Sequence, residues 1–133
     1  MAKRGHVLAV VGAQYGSEGK GVIVNHIANR YQVHVRVGGP NAGHSFVHKG
    51  RIWKMQVIPC GWTNPDAVLV LGRGMLVNPE TLVRELREIE QVDPTIHDRL
   101  LIDGQAGVLD PAFEREEGGT AGELHQRIGS TGK

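Results

Sequence analysis

Residues 10–21, Val10-Val11-Gly12-Ala13-Gln14-Tyr15-Gly16-Ser17-Glu18-Gly19-Lys20-Gly21, place four glycines and one lysine within ten residues, directly after an apolar run. Glycines at this density let successive backbone N–H groups turn into one concavity, and a helix opening behind them adds partial positive charge. Both features suit phosphate. The stretch differs from the usual G-x-x-x-x-G-K-[S/T] loop, because Gly21 stands where a metal-binding hydroxyl follows the lysine. Gly21 offers no side-chain ligand, so any cation of this site must be held by another loop.

The flanks give the stretch its setting. His6 to Val11 reads as a buried strand, being short, apolar and ended by Gly12. Val24, Ile27, Ala28 and Tyr31 fall on one helical face, which predicts a helix from about Lys20 to Arg30. Val33, Val35 and Val37 alternate with His34 and Arg36 in a second strand ending at Gly38-Gly39. Strand, glycine turn, helix and strand make a βαβ unit, so the fold class is α/β with a mainly parallel sheet, a P-loop-like phosphate-binding loop and flanking helices.

Further along, the runs SFVHK and RIWKMQVIP, joined by Lys49-Gly50, read as a β-hairpin insertion over Ser45 to Pro59. Ala67 to Leu71 is the uninterrupted apolar run of a central parallel strand, ended by Gly72-Arg73-Gly74. Asn78-Pro79-Glu80 supplies an N-cap, a first-turn proline and an acid. It opens a helix to about Val92 whose apolar stripe is Leu82, Leu86 and Ile89. Leu100 to Ile102 reads as a short strand, and Asp110-Pro111 as the cap of another helix, interrupted by Gly118-Gly119. The last residues, Gly129-Ser130-Thr131-Gly132-Lys133, read as the middle of a second phosphate-type turn, so the expected domain is incomplete.

Composition narrows the function classes. The chain has 133 residues, 40% of them hydrophobic and 22% charged, which fits one globular core. A formal charge of +1 gives no bulk field for nucleic acid or an anionic membrane, so neither is an expected partner. Nineteen glycines are about twice the usual share of roughly 7%. The single cysteine, Cys60, excludes an internal disulfide and fits a reducing compartment. The apolar part of MAKRGHVLAVVGAQ is shorter than the roughly 7–15 residues of a secretion signal, so a cytoplasmic location without a membrane span is expected.

A second loop, Pro40-Asn41-Ala42-Gly43-His44, follows the second strand on the same sheet edge as the first if the two strands are parallel. There His44 is placed to donate a proton, Asn41 to bind a phosphate or base, and the bare Gly43 to let its carbonyl approach a cation. The remaining histidines, His6, His26, His34, His48, His97 and His125, read as structural. Arg36, Lys49 and Arg73 read either as anion partners or as solvated charges, and Trp53 and Trp62 as packing residues. On the residues alone, a non-catalytic nucleotide-binding module and a simple P-loop-type NTPase stand beside an enzyme of group transfer. A dinucleotide-binding domain is disfavoured, because G-x-G-x-x-G is absent.

Taken together, Q-Y-G-S-E-G-K-G, G-G-P-N-A-G-H, V-I-P-C-G and G-S-T-G-K resemble, in order and spacing, the adenylosuccinate synthetase family pattern Q-W-G-D-E-G-K-G, G-G-x-N-A-G-H, I-P-S-G and G-[ST]-T-G. The resemblance implies that residues 1–133 are the N-terminal part of a single purine nucleotide synthetase domain, inactive alone and part of a homodimer when complete. It implies a ligase joining L-aspartate to C6 of a purine nucleotide through a 6-phosphoryl intermediate, with ATP or GTP as donor and Mg2+ as cofactor. Ser17, Lys20 and His44 take the catalytic positions. Gly16, Ser17, Glu18, Gly19, Lys20, Gly21, Gly43, His44 and Ser45 take those of the triphosphate, with Gly43 as metal ligand. Ser17, Asn41, Ala42, Ser130 and Thr131 take those of the purine nucleotide.

Ser17 departs from the family's aspartate, which takes the N1 proton and binds magnesium; a hydroxyl has neither the charge nor the basicity for those tasks. Serine here, with the S-T-G-K ending, is similar to the bacteriophage branch that acts on dGMP toward diaminopurine DNA. The resemblance therefore favours dGMP as substrate, with IMP as the alternative.

Overall fold

The computed structural model describes residues 5–14, 18–39 and 42–110. Its centre is strand β4 (Val68–Val77), with β1 (Val33–Gly38) parallel on one side and β5 (Leu100–Ile102) parallel on the other. The register pairs Val33 with Val68, Val35 with Val70 and Leu69 with Leu100. A two-residue strand β6 (Gly107–Val108) pairs with the far end of β4. β4 was expected to end at Gly72 but continues through Gly72-Arg73-Gly74. Opposite those glycines the register jumps, because Arg36 faces Leu71 whereas Gly38 faces Met75. The extra residues are absorbed as a bulge, which Gly74 permits at φ 83°.

The other elements pack as their sequence patterns suggest. Helix α1 covers Lys20–His26 and passes into a 3-10 turn at Ala28–Arg30. β2 (His44–His48) and β3 (Arg51–Met55) form the antiparallel hairpin about Lys49-Gly50, with Phe46 opposite Trp53. Those two rings and Trp62, from a 3-10 turn at Cys60–Thr63, form an aromatic cluster; Trp53 meets Trp62 edge-on at 4.7 Å between centroids. Helix α2 (Pro79–Glu90) begins where the Asn78 side chain accepts the Thr81 N–H, and Leu82, Leu86 and Ile89 close the core beside Ile58, Leu69 and Ile96.

Two expectations are corrected. His6 to Val11 forms no strand: the segment is irregular, and Val7 is 97% exposed. An apolar run becomes a strand through a ladder partner, and among the described residues none pairs with it. On β1 the alternation is real but its sense is inverted. The valines face outward, Val35 being 62% exposed, while His34 and Arg36 point toward the packed side. That side presents backbone carbonyls, so donors suit it: the His34 ring bonds the Ala28 carbonyl at 3.1 Å. Both faces of a parallel sheet are commonly covered, so an apolar row does not by itself mark the inner one. The helix expected at Asp110-Pro111 and the turn at Gly129 to Lys133 lie outside the described residues.

Candidate nucleotide site

The first loop delivers its lysine at the start of a helix. Lys20 is the first residue of α1, and the preceding Gly19 provides no side-chain cap, which leaves first-turn amides without a side-chain acceptor. The Lys20 ammonium pairs with the Glu18 carboxylate, which also accepts the Gln14 N–H at 2.7 Å. Those bonds, that from Lys20 first and that from Gln14 next, hold the Glu18 carboxyl below its ordinary range. Glu18 lies directly against Gly12, and a cleft of about 430 Å³ opens between them, Val10, Gln14, Lys20 and Ile23. An anion is thus already seated between the lysine and a loop amide, using the kind of donors that phosphate requires. A larger hollow of about 560 Å³ along α2, by Val83, Arg84 and Arg87, shares no lining residue with this cleft.

The second loop reaches the first. His44, the first residue of β2, lies over the opening turn of α1. A Cβ added to Gly21 would stand 2.6 Å from His44 Cβ and 3.3 Å from Cys60 Sγ. Gly21 is therefore glycine because the imidazole-bearing residue packs against its bare backbone. Burial, then the charges of Arg36 and Lys20, lowers the His44 imidazole to about 4, so the ring is neutral at pH 7 and donates through one N–H. Cys60 is buried and its thiol is pushed up to about 12, which makes it a packing residue rather than a nucleophile.

A pH dependence follows from His44. Between pH 6.5 and about 4 the unfolded chain binds a proton that the native ring does not, so stability falls as pH drops through that window. In an NMR titration of the unliganded protein, the His44 ring signal is expected to have its midpoint near 4. Bound triphosphate should raise it, by placing negative charge beside the ring. A midpoint at the ordinary 6.5 would refute the burial described.

The adenylosuccinate synthetase family profile matches residues 9–133 of this chain. The chain belongs to that family. An adenylosuccinate synthetase of Phytophthora infestans is 37% identical over 128 residues, covering 93% of this chain and 23% of the relative. Adenylosuccinate synthetase 1 of Methanosarcina acetivorans is 42% identical over 106 residues, 79% of this chain and 25% of the relative. The chain thus spans about a quarter of the length of these curated relatives. Among solved structures, the fully ligated adenylosuccinate synthetase of Plasmodium falciparum superposes with a TM-score of 0.75 at 28% identity, over 87% of this chain and 27% of that one. The succinoaminodeoxyadenylate synthetase of cyanophage S-2L, bound to dGMP and to dATP as energy donor, gives 0.67 at 27% identity, over 80% and 30%. The α/β architecture, with its parallel sheet, helices and hairpin, is that of part of the synthetase fold.

Of the residues that the synthetase resemblance singles out, Glu18, Lys20, Gly21 and His44 come together. Gly43 is exposed beside them. Ser45 alternates with His44 and is exposed on the outer side of the hairpin, opposite Lys54. The Ala42 carbonyl is occupied by Arg36 Nη2 at 3.0 Å. Gly16, Ser17, Asn41, Ser130 and Thr131 lie outside the described residues. Among those described, no three His, Cys, Asp or Glu side chains converge as a metal cage. Mg2+ keeps several waters and takes substrate phosphate oxygens, so it does not require a cage supplied wholly by protein side chains.

Two supporting residues, Glu85 and Arg99, escaped sequence reasoning, and a third, Arg36, takes a role that reading did not give it. Glu85, 1% exposed, accepts the N–H groups of Gln56, Val57 and Ile58 at 2.6, 3.1 and 2.8 Å and so holds the segment leading into Cys60. Burial pushes its carboxyl up, against those amides and Arg36, which lower it. Its signal was legible as the one acid inside the stripe of Leu82, Leu86 and Ile89. Arg36, left open between anion partner and solvated charge, bonds a backbone carbonyl instead. Arg99, 9% exposed, donates to the carbonyls of Trp62, Asn64 and Ala67 and to Asp93, and nothing local in the sequence marks it.

Proposed function

We propose that the protein acts as a ligase joining L-aspartate to C6 of a 6-oxopurine nucleotide. The γ-phosphoryl group of ATP or GTP passes to the 6-oxygen, and the aspartate amine then attacks C6 and expels phosphate. The observation that supports this most is the packing of His44 against Gly21, one residue from Lys20. A ring that donates a hydrogen bond is thereby beside the lysine of an anion-binding loop. Phosphoryl transfer needs chiefly positioning and neutralisation of charge, and such a kit supplies both.

In this reading Lys20 and the amides of Gly16 to Gly21 hold the triphosphate, displacing the Glu18 carboxylate. His44 donates to the 6-oxygen as charge develops there, while Asn41, Ala42, Ser130 and Thr131 face the purine nucleotide. The Gly43 carbonyl is the protein ligand for Mg2+, which when bound neutralises phosphate charge. Residues 1–133 are the N-terminal part of one synthetase domain, in a cytoplasmic homodimer. Among the described residues no helix is long and apolar enough to cross a membrane.

The names of the adenylosuccinate synthetases among the relatives support IMP as acceptor. A specific observation favours dGMP as a second reading: Ser17 replaces the family's aspartate, and one of the similar structures holds dGMP. Mass spectrometry of products formed by the full-length protein from IMP and from dGMP, each with aspartate and ATP or GTP, separates the two. Formation of neither aspartyl adduct would sink the ligase reading, and aspartate-independent phosphate release would mark an NTPase.

A further inference from the structure

We infer that Arg36 is a positioning residue, fixing the turn that carries His44 through its hydrogen bond to the Ala42 carbonyl. Arg36 leaves β1 on the packed side, and its Nη2 donates to that carbonyl at 3.0 Å, two residues before His44. Its Nε is buried without a partner among the described residues. The Glu85 charge acts on it, yet no ion pair joins the two among the described residues. Burying a guanidinium with so few bonds is costly, and an apolar side chain would fill the space at less expense. What the arginine adds is a long, planar donor spanning from the sheet to the turn. Glu85 secures the neighbouring segment into Cys60 through three amides, and His44 and Cys60 both close on the bare backbone of Gly21, so the surroundings of His44 are held by Arg36 on its own turn and by Glu85 behind Cys60.

The kinetic part of this inference rests on the proposed ligase activity, whereas the structural part does not. Arg36→Met and Arg36→Gln in the full-length protein remove the donor or shorten its reach. Hydrogen exchange at the Gly43 and His44 amides is expected to quicken at least about tenfold, with residues 51–55 unchanged. In the ligase assay kcat should fall about 10- to 100-fold, with KM for the triphosphate within about twofold, because displaced catalytic geometry costs turnover rather than binding. Unchanged exchange at 43–44 would overturn the inference. So would a raised KM at constant kcat, which would make Arg36 a ligand contact. Global unfolding of both variants would also overturn it, as Arg36 would then be a residue of the core. If the wild-type protein formed no aspartyl adduct, the functional proposal would fail, while the exchange comparison would still decide the anchoring.

Discussion

Replacing His44 by asparagine is expected to lower kcat of the full-length protein about 10²- to 10⁴-fold while leaving KM for the triphosphate within a few-fold. The imidazole is neutral and half-buried over the first turn of α1, so it contributes a directed N–H rather than a charge. Such a donor counts most when negative charge builds on the oxygen it faces, which happens in the transition state and not in the bound ground state. Asparagine keeps a donor and the Cβ and Cγ that lie against Gly21, but not the ring's reach. Lys20→Met is the comparison: it removes a charge that binds the ground-state triphosphate as well, so KM should rise together with the fall in kcat. Single-turnover measurements with saturating aspartate check both. A His44→Asn enzyme of near wild-type rate would leave the loops as a binding site only.

Arg99→Met is expected to destabilise the protein by about 3–5 kcal/mol in equilibrium denaturation. Arg99 gathers the carbonyls of Trp62, Asn64 and Ala67 at 2.7, 2.9 and 2.9 Å and pairs with Asp93. Methionine fills much of the volume but removes the guanidinium donors from three carbonyls, of which that of Asn64 keeps the Ala67 N–H, and takes from the Asp93 carboxylate its charged partner. Arg99→Lys should lie between, because one ammonium cannot span the three carbonyls that a guanidinium fork reaches. A loss below about 1 kcal/mol would mean that water satisfies those carbonyls in the variant. The consequence reaches the site, since the Cys60–Thr63 turn that Arg99 holds carries Cys60, whose sulfur lies against Gly21 next to His44.

Much of the architecture was legible wherever the signal was local. Asn78-Pro79-Glu80 opened α2 as expected because capping is decided within one turn, and Lys49-Gly50 joined two strands that pair as their alternation suggested. Lys20 and His44 were singled out by the glycines beside them, and the structure brings their two segments together at the start of α1. The departures came where a neighbour decides. His6 to Val11 has the composition of a strand without a ladder, and β4 runs past glycines that composition marked as its end, because it bulges there against β1. Glu85, though marked by its place inside an apolar stripe, and Arg99, which nothing local marks, have as partners backbone N–H groups and carbonyls roughly 27 to 37 residues away, and no pattern of side chains announces those.

By itself, then, the sequence determined most of the kinds of element and placed a lysine behind a glycine-rich loop at a helix start, since dihedral preference, capping and glycine spacing act over a few residues. Only the tertiary structure decided which side of β1 is inward, that Gly21 is bare to admit His44, and that Arg36 grips the Ala42 carbonyl. Those outcomes depend on packing between segments distant along the chain, where the space left by one sets what the other can place in it.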